Sequence, residues 1–446
     1  MKTLIYLLIF MLSFNFTLFG NDIHINKSVV IESVLLLNAI SDEPMFNQNY
    51  PNERQHWRAL FSRDKNAQEA LNIWLERGVG LAYLISGLKF KNIDEFLIAL
   101  ESPEKLFHDI ESMFDEPLYE PALKYLKVNH HYLKVYLTFL KNNNFQYFWE
   151  QTYFLQIDEA ILKANQLLKK INMNNFVHTF NLLTQSHVES KQIQIYITTL
   201  SGGVGYKLMG WRIGISTDKV SEIPLQFPHE LCHHFNPSKE NLFRLKQLAY
   251  QDPYYNRVFT RIYTDYREGL EEEFVYASGL YLSYISGMMS YKSALKHIKT
   301  AYFQDFSSGG HGVPITGIIF DQLLREELTL NFDYNIFIEK LFANNTITAG
   351  EVENKFILIL NDIAGSAGVQ IDNISEKVLI VKVWPNLPAA NAGILIGDKI
   401  ISINHQQVQN LSLDEIIDLI IGRPNEERIF LLKRNEQLME ISFRLK

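Results

Sequence analysis

Cysteine is almost absent from this sequence of 446 residues, which contains a single one, Cys232. One cysteine has no partner within the chain, so intramolecular disulfide bonds are excluded as a source of stability. Strong positive charge is missing too: the net charge is -8 and no basic stripe stands out, which argues against a nucleic-acid binder. Global disorder is excluded, because 47% of the residues are hydrophobic and 13% are aromatic, enough for a large core.

The most apolar run lies at the N-terminus and predicts an export signal. Lys2 precedes an almost wholly apolar stretch over residues 4–19, and the small residue Gly20 stands where cleavage would occur. The run is shorter than a comfortable membrane span, so cleavage is favoured, with an uncleaved anchor as the alternative. We expect an exported protein, periplasmic or extracellular, with no further integral membrane segment. Export without disulfides is typical of a bacterial envelope protein.

Hydrophobic periodicity predicts an α+β fold with several domains. Residues 21–190 have apolar residues mainly at helical spacing, whereas residues 192–197 and 211–215 alternate as strands do. This pattern predicts a small sheet directly before a helix, in whose first turn Pro224 and Pro228 would both fit. The predicted divisions are a signal peptide over 1–20, a helical region over 21–190, a catalytic region over 191–345 and a β-rich domain over 346–446.

Residues 229–233 read His-Glu-Leu-Cys-His, which contains the pattern His-Glu-x-x-His. On a helix, His229 and His233 share one face, so their ring nitrogens can hold one metal ion. Glu230 lies beside them, where its carboxylate can accept a proton from a metal-activated water. The pattern predicts one zinc ion and hydrolysis, most often of peptide bonds. A chance match on a His-rich helix is the alternative, which the flanking sequence must decide.

An acidic run downstream of the motif is the expected source of a third ligand. A catalytic zinc site takes three protein ligands and leaves its fourth position for water. The residues directly after His233 contain no further ligand pattern, whereas residues 268–273 are rich in glutamate. Glu272 fits best, because Val275 and Ala277 follow it at positions that can pack closely against the first helix.

Neighbouring residues remain to be weighed as ligands. Glu273 is an alternative third ligand, and Glu268 is either another alternative or a hydrogen-bond partner of a ligand His. His234 points about 100° away from the second His of the motif and is not expected to bind metal. Cys232 leaves the His face of the helix and is expected to pack in the core.

This order of motifs resembles the gluzincin metallopeptidases, in which a Glu from a following helix completes a His-Glu-x-x-His site. Residues 229–277 carry the resemblance and also look like a family of uncharacterised, exported bacterial proteins of this type. The resemblance implies a mainly helical zincin-like region and peptide hydrolysis with Glu230 as general base. The oxyanion needs a donor besides zinc. His311, in a Gly-rich loop, is the candidate, with Tyr276 and Tyr281 as alternatives.

From Gly368 the sequence resembles the PDZ domains of bacterial envelope proteases. Residues 388–394 and 397–404 follow that pattern nearly position by position, and residues 413–421 would supply the groove helix. The resemblance implies a groove that binds a C-terminal or internal peptide. Its carboxylate-binding loop and first strand would comprise Gly368, Val369, Gln370 and Ile371.

The combined prediction is an exported zinc peptidase whose PDZ domain binds substrate or a regulatory peptide. An alternative from another class is a PDZ adaptor with a structural or degenerate zinc site and no turnover. The presence of Glu230 disfavours this alternative, because a structural site does not need that carboxylate. Metal-dependent hydrolysis of non-peptide bonds is a third and weaker option.

Overall fold

A computed structural model describes most of the chain beyond the N-terminal segment. The described residues are 23–43, 49–113, 120–203, 205–234, 237–256, 271–303, 315–355, 367–374, 377–409, 411, 413–422 and 425–445. Three predictions lie outside them: the signal segment 1–20, Glu268 and His311. In the described part of the chain, no helix has both the length and the apolar character needed to cross a membrane.

The structure has a mixed α+β architecture, mainly helical up to residue 345 and β-rich after it. Contacts divide the chain into two compact units. The first comprises Met1–His178 with His187–Leu231, and the second comprises Thr179–Ser186 with Cys232–Lys446. One division therefore passes between Leu231 and Cys232, inside the His-Glu-x-x-His segment, and the domain boundaries at 190 and 345 remain predictions.

Helices dominate the described residues before the first central strand. Several of them begin at a polar residue whose side chain accepts a backbone N–H of the first turn, as Ser28, Asp64 and Asn92 do. Their buried faces carry large side chains such as Trp57 and Tyr136. The helices are α1 (Val29–Ala39), α2 (Pro51–Phe61), α3 (Lys65–Trp74), α4 (Gly78–Ser86), α5 (Ile93–Leu100), α6 (Pro103–Met113), α7 (Glu120–Asn142), α8 (Phe145–Leu168) and α9 (Met173–Thr184).

A four-stranded sheet lies within the first unit. Its strands are β1 (His24–Asn26), β2 (Gln194–Thr198), β3 (Gly205–Leu208) and β4 (Arg212–Ser216). The order is β1-β2-β4-β3; β1 and β4 run parallel to β2, and β3 runs antiparallel to β4 as an edge strand. Strands β2 and β4 were predicted from their alternation. Strands β1 and β3 were not, because three or four residues are too few to show a period of two.

Helix α10 (Ile223–Cys232) follows the sheet and carries the first four residues of the His-Glu-x-x-His motif. Pro224 lies in its first turn, as predicted. The prediction for Pro228 was wrong, because the helix begins at Ile223 and Pro228 lies in its interior. A proline there removes one helical hydrogen bond.

The second unit continues with helices that lead from the motif to the C-terminal domain. Helix α12 (Glu272–Ile285) begins inside the acidic run, and residues 257–270 before it lie outside the described part of the chain. It packs against α14, and both helices bury apolar residues. The helices are α11 (Lys239–Gln251), α12 (Glu272–Ile285), α13 (Tyr291–Phe303), α14 (Thr316–Arg325) and α15 (Tyr334–Ala343).

The C-terminal domain is an antiparallel sheet with two short helices. The order of the main strands is β10-β9-β7-β6-β5, so that β5 forms an edge. Ile371 of β5 shares one core with Ile416 and Ile420 of α17. The elements are β5 (Val369–Ile374), β6 (Lys377–Val383), α16 (Pro388–Asn391), β7 (Lys399–Ile403), β8 (Gln406–Gln407), α17 (Leu413–Ile420), β9 (Glu427–Arg434) and β10 (Gln437–Arg444).

Candidate functional site

The two histidines of the motif stand at the end of α10. His229 lies in the last turn, and His233 directly follows the last helical residue, Cys232. Their side chains are 15% and 22% exposed, so both imidazoles are mostly buried but remain partly accessible to solvent. Because one helical turn separates them along a continuous segment, they present their rings on the same face.

Glu272 supplies a carboxylate to the same place from the start of α12. Its Oε1 lies 3.4 Å from Nε2 of His233. One ligand atom from each of His229, His233 and Glu272 lies within 4.8 Å of the other two. Ligand atoms about 2.0–2.1 Å from a tetrahedral zinc ion are about 3.3 Å apart, close to the 3.4 Å between Glu272 and His233. Two imidazole nitrogens and one carboxylate oxygen are a catalytic zinc donor set, so these residues fit zinc.

Glu273, the alternative ligand, points in another direction. It is 2% exposed, and its Oε2 accepts hydrogen bonds from the backbone N–H of Ile315 at 3.0 Å and the Thr316 hydroxyl at 3.2 Å. Burial raises the pKa of Glu273 to about 8, although the polar groups of Tyr255, Ile315 and Thr316 beside it oppose this rise. Its carboxyl therefore belongs to the packing between α12 and α14.

The other candidates have simpler surroundings. Cys232 is buried, and burial raises the pKa of its thiol far above the usual range, so it stays neutral. Tyr281 is buried at 6% exposure, whereas Tyr276 is half-buried. The exposure of these two tyrosines does not identify either of them as the oxyanion donor.

Glu230 lies under the edge strand β3. It is 5% exposed, and its Oε1 is 4.0 Å from Nε2 of His229. A Cβ atom at Gly205 of β3 would lie 2.8 Å from Oε1 of Glu230 and 2.6 Å from Oε1 of Gln226. The backbone of β3 can approach α10 so closely only because residue 205 is glycine. This contact was missed from the sequence, where residues 201–205 suggest a turn.

A buried carboxylate holds the loop that leads into β3. Glu32 of α1 accepts hydrogen bonds from the backbone N–H of Thr199 at 2.6 Å, the Thr199 hydroxyl at 2.8 Å and the backbone N–H of Leu200 at 3.0 Å. The Tyr50 hydroxyl donates to the carbonyl of Thr199 and accepts from the N–H of Gly202. Burial raises the pKa of Glu32 to about 7, although its donors oppose this rise.

The predicted peptide-binding segment of the C-terminal domain lies on its edge strand. Gly368 has a left-handed φ of 73°, and a Cβ atom there would lie 2.4 Å from Cβ of Leu387. Val369 is half-buried, Gln370 is exposed and Ile371 is buried in the core. An edge strand of this kind has backbone N–H and C=O groups that can pair with an added strand.

Comparison with known proteins identifies the C-terminal domain. Residues 379–434 match the model of the PDZ domain family, so the protein contains a PDZ domain as predicted. Over 104 residues the chain is 33% identical to the serine endoprotease DegS of Haemophilus influenzae. That match covers 22% of this chain and 30% of DegS, so the chain spans about a third of this relative.

Solved structures give weaker likenesses. The serine endoprotease from Yersinia pestis is 29% identical over 24% of this chain and 35% of its own, with a TM-score of 0.18. An aminopeptidase N family protein from Idiomarina loihiensis is 12% identical over 64% of this chain and 63% of its own, with a TM-score of 0.25. With such TM-scores neither likeness carries an argument about the whole chain. The candidate metal site therefore rests on its residues and their geometry alone.

Proposed function

We propose that this protein is an exported zinc-dependent peptidase with His229, His233 and Glu272 as metal ligands and Glu230 as general base. The observation that carries the proposal is the convergence of one donor atom from each of the three ligands within 4.8 Å. Glu230 directly follows His229 on α10. A purely structural zinc site would not need this additional carboxylate, so its presence favours a catalytic site. One zinc ion is the implied cofactor, and a peptide or protein is the implied substrate.

Catalysis follows from the positions of these side chains. Zinc, when bound, would lower the pKa of a water molecule and polarise the carbonyl group of the peptide bond to be cleaved. Glu230 takes a proton from the water at its carboxylate and delivers it to the leaving amine. His229, His233 and Glu272 supply the metal ligands from two helices. His311 is proposed as the donor to the oxyanion.

Strand β3 offers a place for the substrate backbone. It is an edge strand, and edge strands can pair with an extended peptide through their backbone groups. At Gly205 its backbone lies close to Glu230, so a peptide paired with β3 would pass near the general base. The PDZ domain is proposed to hold another part of the substrate, or a regulatory peptide, along β5.

The similarity to DegS favours a second candidate, a serine-type peptidase. It covers only 30% of DegS, so no catalytic serine can be carried over to this chain. Two inhibitors distinguish the candidates. A zinc peptidase loses activity to a chelator and regains it with zinc, whereas a serine peptidase is inactivated by a serine-directed fluorophosphonate.

Glu230→Gln is the decisive variant. It keeps the metal ligands but removes the base, so we expect unchanged zinc content and about 10²–10⁴-fold slower cleavage of a peptide library. Glu240→Gln, a change at an exposed glutamate of α11, is the matched control and should behave as the unmodified protein. Undiminished cleavage by Glu230→Gln would exclude this mechanism. Zinc binding without cleavage by the unmodified protein would instead support the adaptor alternative.

A further inference from the structure

Two neighbouring glutamates at the start of α12 have opposite surroundings. Glu272, the first helical residue, has a side chain that is 22% exposed and lies against His233. Glu273, the second, is 2% exposed and faces the start of α14. The zinc proposal uses the first carboxylate and leaves the buried second one without a role.

The position of Glu272 at a helix end raises a geometric problem. The first N–H groups of a helix have no partner within it, and helix ends fray. Among the described residues, the side chain of Glu271 makes no capping hydrogen bond at this end. A metal ligand on a fraying turn would be poorly placed, because ligand geometry depends on neighbours that hold each ligand.

Glu273 holds the start of α12 in place through hydrogen bonds to a neighbouring helix. Its Oε2 accepts hydrogen bonds from the backbone N–H of Ile315 and from the Thr316 hydroxyl, both at the start of α14. The side chain of Tyr255 interacts with the same carboxyl. Thr316 and Tyr255 are both almost fully buried, so these partners are themselves held by packing. The carboxyl thus ties the first turn of α12 to the first turn of α14.

We infer that Glu273 is a positioning residue whose buried carboxyl fixes the first turn of α12 and thereby presents Glu272 to the metal. This inference rests on the proposed zinc site but not on peptide hydrolysis. A hydrogen-bond acceptor at this place is what the role requires, so an amide oxygen can replace the carboxylate oxygen.

The test measures zinc affinity of the full chain by competition with a chromophoric chelator. Glu273→Ala removes the acceptor, and we expect about 10–100-fold weaker zinc binding, the range known for partners of metal ligands. Glu273→Gln keeps an oxygen acceptor and should restore affinity to within about threefold. Asp398→Ala is the control, because Asp398 is another buried carboxyl of the second unit but is held by Arg434 and the N–H of Leu395 in the PDZ domain.

Unfolding midpoints separate positioning from stability. If Glu273→Ala and Asp398→Ala both lower the midpoint and both leave zinc affinity unchanged, Glu273 is only structural and the inference is wrong. If Glu273→Ala does not fold, Thr316→Val decides, because it removes one donor to the carboxyl and preserves the side-chain shape. We expect about threefold weaker zinc binding for Thr316→Val, and unchanged affinity would overturn the inference.

The outcomes also separate this inference from the proposed function. Zinc binding that Glu273→Ala weakens, in a protein that cleaves no peptide, supports the positioning role and contradicts the peptidase. If the protein cleaves peptides but its zinc affinity does not change in Glu273→Ala, the peptidase is supported and the positioning role is contradicted. An unmodified protein that binds no zinc overturns both.

Discussion

The candidate metal centre and the PDZ domain present their functional atoms in different ways. At the metal centre the donor atoms belong to the side chains of His229, His233 and Glu272, which come from two helices. In the PDZ domain the proposed binding atoms belong to the backbone of β5. The proposed metal binding would therefore depend on single side chains, whereas the proposed peptide binding would depend on strand conformation and packing.

Both places nevertheless rely on a glycine for close approach. Gly205 allows β3 to lie against Glu230, and Gly368 allows the start of β5 to lie against Leu387. The first glycine serves a side-chain site and the second serves a backbone site. Substitutions at a metal ligand and at each of the two glycines therefore test whether the two regions act separately.

Removal of a metal ligand should have the largest effect. Glu272→Ala leaves two protein ligands, so we expect zinc affinity to fall by more than the ~10–100-fold known for outer partners of ligands, and cleavage to disappear with it. Metal analysis of the purified protein and binding of a fluorescent peptide to the PDZ domain are measured together. Peptide binding should be unchanged. Intact zinc stoichiometry would contradict the assignment of Glu272 as the third ligand.

Gly205→Ala should slow catalysis without loss of metal. The added Cβ atom would lie under 3 Å from Oε1 of both Glu230 and Gln226, so the general base or the strand must shift. A misplaced catalytic group commonly costs about 10²-fold in rate, which is the effect we expect on kcat. Zinc content serves as the internal control. A normal kcat would show that β3 does not position Glu230.

Gly368→Ala should affect only peptide binding. Its left-handed φ and the contact with Leu387 both oppose a side chain, so we expect the start of β5 to move at a cost of about 1–3 kcal/mol. A fluorescently labelled C-terminal peptide should bind about tenfold more weakly, as measured by anisotropy. Cleavage of a short peptide that reaches only the metal centre should stay normal. A parallel loss of that cleavage would contradict separate action of the two regions.

The smallest effect on function is expected from Glu32, whose protonation changes the free energy of unfolding with pH rather than catalysis or binding. Burial raises the pKa of Glu32 from 4.5 to about 7, so the folded chain keeps this proton where the unfolded chain has lost it. The unfolded state then binds fewer protons, and stability falls as pH rises from 4.5 to about 7. That separation corresponds to about 3 kcal/mol. Glu32 therefore adds this stability in full below pH 4.5 and loses it as the pH rises to about 7.

Urea unfolding of Glu32→Gln at several pH values checks this prediction. The variant cannot ionise, so its free energy of unfolding should vary less over this range than that of the unmodified protein. Equal pH slopes for the two proteins would contradict it. Zinc affinity should be unchanged, because Glu32 holds the loop before β3 rather than a ligand.

Much of the fold could be predicted wherever the pattern is local. Alternation predicted β2 and β4, and the resemblance of residues 388–394 and 397–404 to known PDZ domains predicted the PDZ domain, which the family match confirms. Strands β1 and β3 are too short to show a pattern and exist because they pair with β2 and β4. Pro228 was wrongly placed in the first turn, because the sequence does not reveal how far upstream α10 begins.

At the candidate site, too, local sequence patterns predicted some features and only the folded structure determined others. The sequence by itself determined the pairing of His229 with His233 and the nearby Glu230, because four positions on a helix always make one turn. Only the tertiary structure decided that Glu272 faces His233 while Glu273 faces α14. Adjacent helical residues point about 100° apart, so the packing of α12 against its neighbours sets which carboxylate meets the metal ligands.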